Sequence, residues 1–276
     1  MVNKSKNTIT CYRKQLKKFY VWLNDYGLPT EAKELTLIDA AQYRDYLLEQ
    51  GLKPASVNVA LAALETYGQW LKDEGYTLNN FAAGVRRVES LQNQRRNITQ
   101  SERFRLVRVA RAEGRDGIII MVLLFAGLQA NEIVNLKVDD IAISDKKACI
   151  VVRPEAARQK ARIVPIPKTL AEPLAEYLIK KCINCEWVFS SQRGEQLTYA
   201  GLNKVVTCLG LKARIQGLTC NVLRNTYVLM LLEDGVSMDT VADIAGVSVG
   251  RIAGIKKSQL SGEEAMQAAV ELLSFT

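Results

Sequence analysis

Histidine is absent from the chain's 276 residues. No Ser-His or Cys-His couple and no histidine-bound metal can be assembled, because no other side chain titrates near neutrality without help. The segment Gly246-Val247-Ser248-Val249-Gly250 spells the G-x-S-x-G nucleophile elbow by letter, but its serine has no histidine base. Tyrosine also runs out, none following Tyr227. Long apolar runs are missing too. The longest, 117–128, falls short of the roughly 18 residues a membrane span needs. Behind the lysines of Met-Val-Asn-Lys-Ser-Lys-Asn there is no apolar core of a secretory signal, so a cytoplasmic, nucleoid-associated protein is expected, with no membrane partner. Cysteine is sparse at six residues. Cys182 and Cys185 have C-x-x-C spacing and could join Cys208 and Cys220 around zinc, but one such pair is a weak signal. Scattered reduced thiols are the expectation, with no metal and no cofactor.

What is present describes an ordinary soluble fold with a charge bias. Apolar residues make up 48% and charged residues 24%, enough for one large or two modest cores. Lysine and arginine number 37 against 29 acids, a net charge of +8 that points to an anionic partner, with nucleic acid in front.

Helical periodicity dominates the first ninety residues. Ile9, Tyr12, Leu16, Phe19, Tyr20 and Leu23 form one apolar stripe, opposite Arg13, Lys14, Lys17 and Lys18. A second helix is predicted over 36–50, with Thr36 and Asp39 at capping-box spacing and Gly51 as its stop. A third starts at Pro54 and runs through Val57, Leu61, Leu64, Tyr67 and Leu71, and a short fourth is predicted over 80–88. Residues 89–97 lack apolar periodicity, and four arginines stand against one acid between Arg86 and Arg96, which predicts a basic linker between an N-terminal domain, 1–88, and a second domain, 98–276. In the second domain a helix from Ile98 leads into an apolar helix over 117–128, and strand-like segments 148–152 and 162–166 flank a positively charged tip. Helices are predicted over 169–181, 199–209, 223–234 and 238–245, then an amphipathic tail over 263–273.

The order of these features resembles the tyrosine recombinase, or phage integrase, family. The resemblance rests on Gly-Leu-Gln-Ala-Asn-Glu-Ile at 127–133, Arg-Ile-Val-Pro-Ile at 162–166, Val-Leu-Arg-Asn-Thr-Tyr at 222–227 and Ile-Ala-Gly-Val-Ser at 244–248. In the N-terminal domain it rests on Thr8, Tyr12, Leu16, Phe19 and Trp22, and on Ser56-Val57-Asn58. It implies a mainly α protein with a small β-sheet: a SAM-like four-helix core-binding domain followed by a catalytic domain of the DNA breaking-rejoining fold. In that family a tyrosine attacks a DNA phosphate while two arginines, a lysine and two His-type residues stabilise charge and move protons. Position by position, this chain carries Gln129 for the first arginine, Ala157 for the lysine, Asn221 for the first His-type residue, Val247 for the second and Lys256 for the nucleophile. The second arginine remains, as Arg224. Tyr227 is expected to pack in the core.

Five of six positions thus differ, and the resemblance implies a protein that binds duplex DNA sequence-specifically without cutting it. The expectation is therefore no enzyme, but a transcriptional regulator or repressor of a phage or mobile element. An accessory or architectural factor in site-specific recombination is the alternative. Gln129, Asn221, Arg224 and Lys256 would cradle phosphate, with Arg158, Lys160, Arg251 and Lys257 beside them and Arg95 and Arg96 tracking the backbone. Lys53, Ser56 and Asn58 open the helix expected in the major groove. Ala242, Gly246 and Ile252 also fit a helix-turn-helix, or equally a plain helical corner. The tail leaves room for self-association, and a regulatory peptide or protein is admitted as a further partner.

Overall fold

A computed structural model of the chain describes residues 6–89, 96–144, 147–154, 161–181, 186–191 and 194–256. The chain divides into two units, Met1–Asn93 and Gln94–Thr276. Among the described residues no helix is long and apolar enough to cross a membrane.

The first unit is built on α1 (Lys6–Asp25), α2 (Leu37–Glu49) and α3 (Pro54–Asp73). Capping sets where they begin. The Thr36 hydroxyl accepts from the Asp39 N–H while the Asp39 carboxylate accepts from the Thr36 N–H at 2.7 Å, and Pro54 opens α3 without a donor to waste. Phe19, Leu23, Tyr43 and Leu64 are sealed in the core between them. Each such side chain stabilises the fold by about 1.5–3 kcal/mol through burial.

The helix predicted over 80–88 does not form. Its backbone partners come from α3 instead: the Asn80 amide donates to the Glu65 carbonyl, and the Asn58 amide both donates to the Val88 carbonyl and accepts from the Val88 N–H. Phe81 and Ala82 are buried, so tertiary packing overrides helix propensity here. Gly68 makes the approach possible, since a Cβ there would stand 2.1 Å from Asn80 Oδ1.

The same core makes an alkaline prediction. Burial, with the neighbouring Tyr46, pushes the Tyr43 phenol up to about 12, and burial with the Tyr67 hydroxyl pushes Tyr20 higher still. Unfolded tyrosines ionise from about 10. The folded unit therefore holds more protons above that pH, and the stabilisation is complete below about 10 and lost as pH climbs toward 12. Phenolate absorbance and near-ultraviolet dichroism should change together in that window; free titration of both tyrosines near 10 with the fold intact would refute it.

The second unit contains α4 (Gln100–Ala110), α5 (Gly114–Phe125), α6 (Ala130–Val134), β1 (Ile141–Ile143), β2 (Ala148–Val152), β3 (Arg162–Pro165), α7 (Lys168–Lys180), α8 (Tyr199–Lys212), α9 (Cys220–Glu233) and α10 (Met238–Ala245). The strands form one antiparallel sheet in sequence order, with Ile150 opposite Val164. β1 and α6 are additions to the predicted set, three and five residues long, too short for periodicity to reveal. α5 is apolar on every side because it is the central helix, with Ile119 to Leu124 all sealed from solvent.

Past α10 the chain turns at Gly246, whose φ of +62° is left-handed, and residues 249–256 form another helix. Ala242, Ile252 and Ile255 pack with Val228 and Val241 in a small core of their own. The segment is thus a helix, a turn and a helix, with the small residue, glycine and aliphatic at the three positions named above. The tail 263–273 lies outside the described residues, as do Cys182 and Cys185; Cys208 is exposed and Cys220 buried.

Candidate nucleic-acid interface

Two arginines and one carboxylate organise the centre of the second unit. Glu132 stands in the first turn of α6, where its carboxylate accepts from the Gln129 N–H at 2.7 Å. The same carboxylate takes both terminal nitrogens of Arg162, from β3, at 2.7 Å each. Arg162 then donates through Nε to the Ile244 carbonyl at 2.8 Å. Arg224, from α9, donates to the Gly127 carbonyl at 2.5 Å and to the Ala245 carbonyl, and lies 3.8 Å from Glu132. Side-chain exposures of 14% for Arg162, 11% for Glu132 and 4% for Arg224 make this a buried charge cluster.

Its electrostatics follow from that burial. Loss of solvation lowers the Arg224 guanidinium to about 10; Glu132 pulls it back up, while Arg162 and Arg251 push it further down. Tyr227 lies against Gly127, and burial raises its phenol to about 12 despite the opposing pull of Arg162 and Arg224. Tyr227 is 4% exposed, a packing residue as expected.

Beside the cluster opens a cleft of about 590 Å³, lined by Gln129, Arg153, Arg162, Gly246, Val247 and Ser248 among others. Gln129 and Val247 therefore line the same cleft. Arg224 is absent from the cleft's lining: it is 4% exposed and donates from both terminal nitrogens to carbonyls, so it fastens the floor instead of gripping an anion from it. Asn221, the second residue of α9, and Lys256 are exposed outside the lining. Ala157, Arg158, Lys160, Arg95 and Lys257 lie outside the described residues.

Five other expected contact residues are placed as follows. Asn58 spends its side chain on Val88, as described, which corrects the picture of an amide presented to a base edge. Arg96 donates to the Gln216 carbonyl, and its own carbonyl accepts from Asn225 Nδ2 at 3.1 Å, so this end of the basic stretch is moored to the second unit. Lys53, Ser56 and Arg251 are exposed.

Sequence reasoning passed over Arg162 and Asp140, and read Arg153 only as part of a charged tip. Arg162 sits inside Arg-Ile-Val-Pro-Ile, where it looked like a scaffold letter. Its pairing with Glu132 spans thirty residues, which no local spacing reveals.

Comparison with known proteins places this arrangement. Residues 96–253 match the Phage integrase family, and residues 2–75 match the phage integrase N-terminal SAM-like domain. A tyrosine recombinase XerA of Pyrococcus horikoshii is 28% identical over 246 residues, covering 88% of this chain and 80% of the relative. A tyrosine recombinase XerD of Oceanobacillus iheyensis is 24% identical over 253 residues, covering 88% and 84%. Among solved structures, a XerH site-specific recombinase bound to its palindromic difH substrate superposes with a TM-score of 0.77 at 18% identity, covering 94% of this chain and 78% of that one. These relatives carry the names of recombinases. They overturn both the expected transcriptional repressor and the expectation that the chain is no enzyme, conclusions drawn from five altered positions alone. The scaffold reading stands, for the chain belongs to the phage integrase family.

Proposed function

We propose that this chain acts in site-specific DNA recombination, engaging duplex DNA at the recombination site. One observation carries the reading: similarity to chains named tyrosine recombinase runs through 88% of the sequence, across both units. The net charge of +8 supports a polyanionic substrate, because each phosphate neutralised by lysine or arginine releases a counterion. The cleft supports it locally, with an arginine at its mouth and hydrogen-bond donors of Gln129 and Ser248 around it.

The test is a strand-cleavage assay on nicked duplexes carrying candidate sites from the chain's own genome. The protein would be added alone and together with a family member that has the nucleophilic tyrosine. Covalent adducts with the chain alone would establish it as a cleaving partner, and mass spectrometry of the adduct would identify the attacking residue. Recombinant product that needs both proteins would establish an accessory role in the same reaction. Site-specific binding without product under either condition would refute recombination.

A further inference from the structure

We infer that Arg153, ion-paired with Asp140, is the arginine that binds a backbone phosphate in the cleft; this rests on the proposed engagement of duplex DNA. The cleft has two arginines in its lining, and they are in opposite situations. Arg162 has both terminal nitrogens on Glu132 and Nε on the Ile244 carbonyl, and only 14% of its side chain is exposed. It has no edge left to offer. Arg153, just beyond the end of β2, is 63% exposed. Its Nε lies 2.5 Å from Asp140 Oδ1, and its two terminal nitrogens have no partner among the described residues.

Asp140 is placed to hold this side chain by charge. It is 6% exposed, and its other oxygen accepts from the Lys137 N–H at 3.0 Å, so the carboxylate cannot swing away. Asp140 Oδ1 accepts no hydrogen bond, so the contact with Arg153 is an ion pair that tethers the guanidinium beside the cleft, with two terminal nitrogens that no described residue occupies. A phosphate takes such an edge in a bidentate, charge-assisted pair. The position matters for this chain in particular. Gln129 stands where a charge is expected and Arg224 is walled off, which leaves Arg153 as the cation in the described lining with donors to spare.

The experiment is a salt series of duplex affinity. A labelled mixed-sequence duplex is titrated with wild-type protein, Arg153→Gln, Arg153→Lys and, as a charge control on α4 outside the cleft, Arg108→Gln. Arg153→Gln should make the slope of log affinity against log salt shallower by about 0.9, the loss of one phosphate contact. Arg153→Lys should keep the slope, and Arg108→Gln should leave it unchanged. Thermal unfolding of each variant checks that the exposed substitutions leave the fold intact. An unchanged slope in Arg153→Gln, or an equal flattening in Arg108→Gln, overturns the assignment while duplex binding itself stands. Failure of the wild-type protein to bind duplex would instead overturn the proposed function, and this inference with it.

Discussion

Glu132→Ala is expected to destabilise the second unit by about 3–5 kcal/mol, the usual cost of removing one member of a buried ion cluster. The size follows from what remains. Arg162 loses both of its terminal partners at 14% exposure, and Arg224, at 4% exposure, loses the carboxylate that offsets its desolvation. The first turn of α6 also loses the acceptor for the Gln129 N–H. Glu132→Gln keeps an acceptor but removes the charge, and should fall between the variant and the wild type. Denaturant unfolding monitored on the second unit measures this through its midpoint at constant slope. A change below about 1 kcal/mol for the alanine variant would show that solvent or rearrangement compensates the two guanidinium groups, and the buried cluster would lose its structural role.

Gly127→Ala should cost about 2–4 kcal/mol, from two separable sources. The glycine sits at φ +58°, where an L-residue is strained by about 1–2 kcal/mol, and its missing Cβ would stand 2.1 Å from the Tyr227 ring. The ring cannot yield freely, since Tyr227 is 4% exposed. In a Tyr227→Ala background the same substitution should cost only the backbone strain. A double-mutant cycle therefore isolates the ring contact. Equal costs in both backgrounds would mean that the ring moves aside without penalty. The Gly127 carbonyl also holds Arg224, so the single variant is expected to disturb the floor of the cleft as well.

Much of the architecture could be read from residue order, and the exceptions have physical causes. Capping residues and apolar stripes located α2 and α3, because those signals are local: Thr36 meets Asp39 three residues on, and Val57, Leu61 and Leu64 recur on one face. The stretch after Asn80 has a helix-like pattern but forms none, because its decisive partners, Glu65 and Asn58, lie on α3, far back in the chain. At the site, the altered family positions were legible letter by letter, yet their surroundings were not. Arg224 read as a phosphate ligand because its type suits one; only the fold reveals that two carbonyls occupy it. Altered catalytic letters do not make a repressor, since an absence specifies no function, and the relatives similar across both units are named recombinases.

Both arginines of the buried cluster end on carbonyls of the last turn of α10, Ile244 and Ala245, immediately before the turn that carries Val247. Mutational tolerance around the cleft should therefore be sharply uneven. Exposed positions such as Asn221 and Lys256 can drift with little change in stability, because substitutions at exposed positions usually cost little. Glu132, Arg162 and Arg224 cannot, because the cleft floor and the hold on α10 are one set of contacts. A saturation library scored only for folded protein should leave those three positions nearly invariant while the exposed ones vary widely, without any selection for work on DNA.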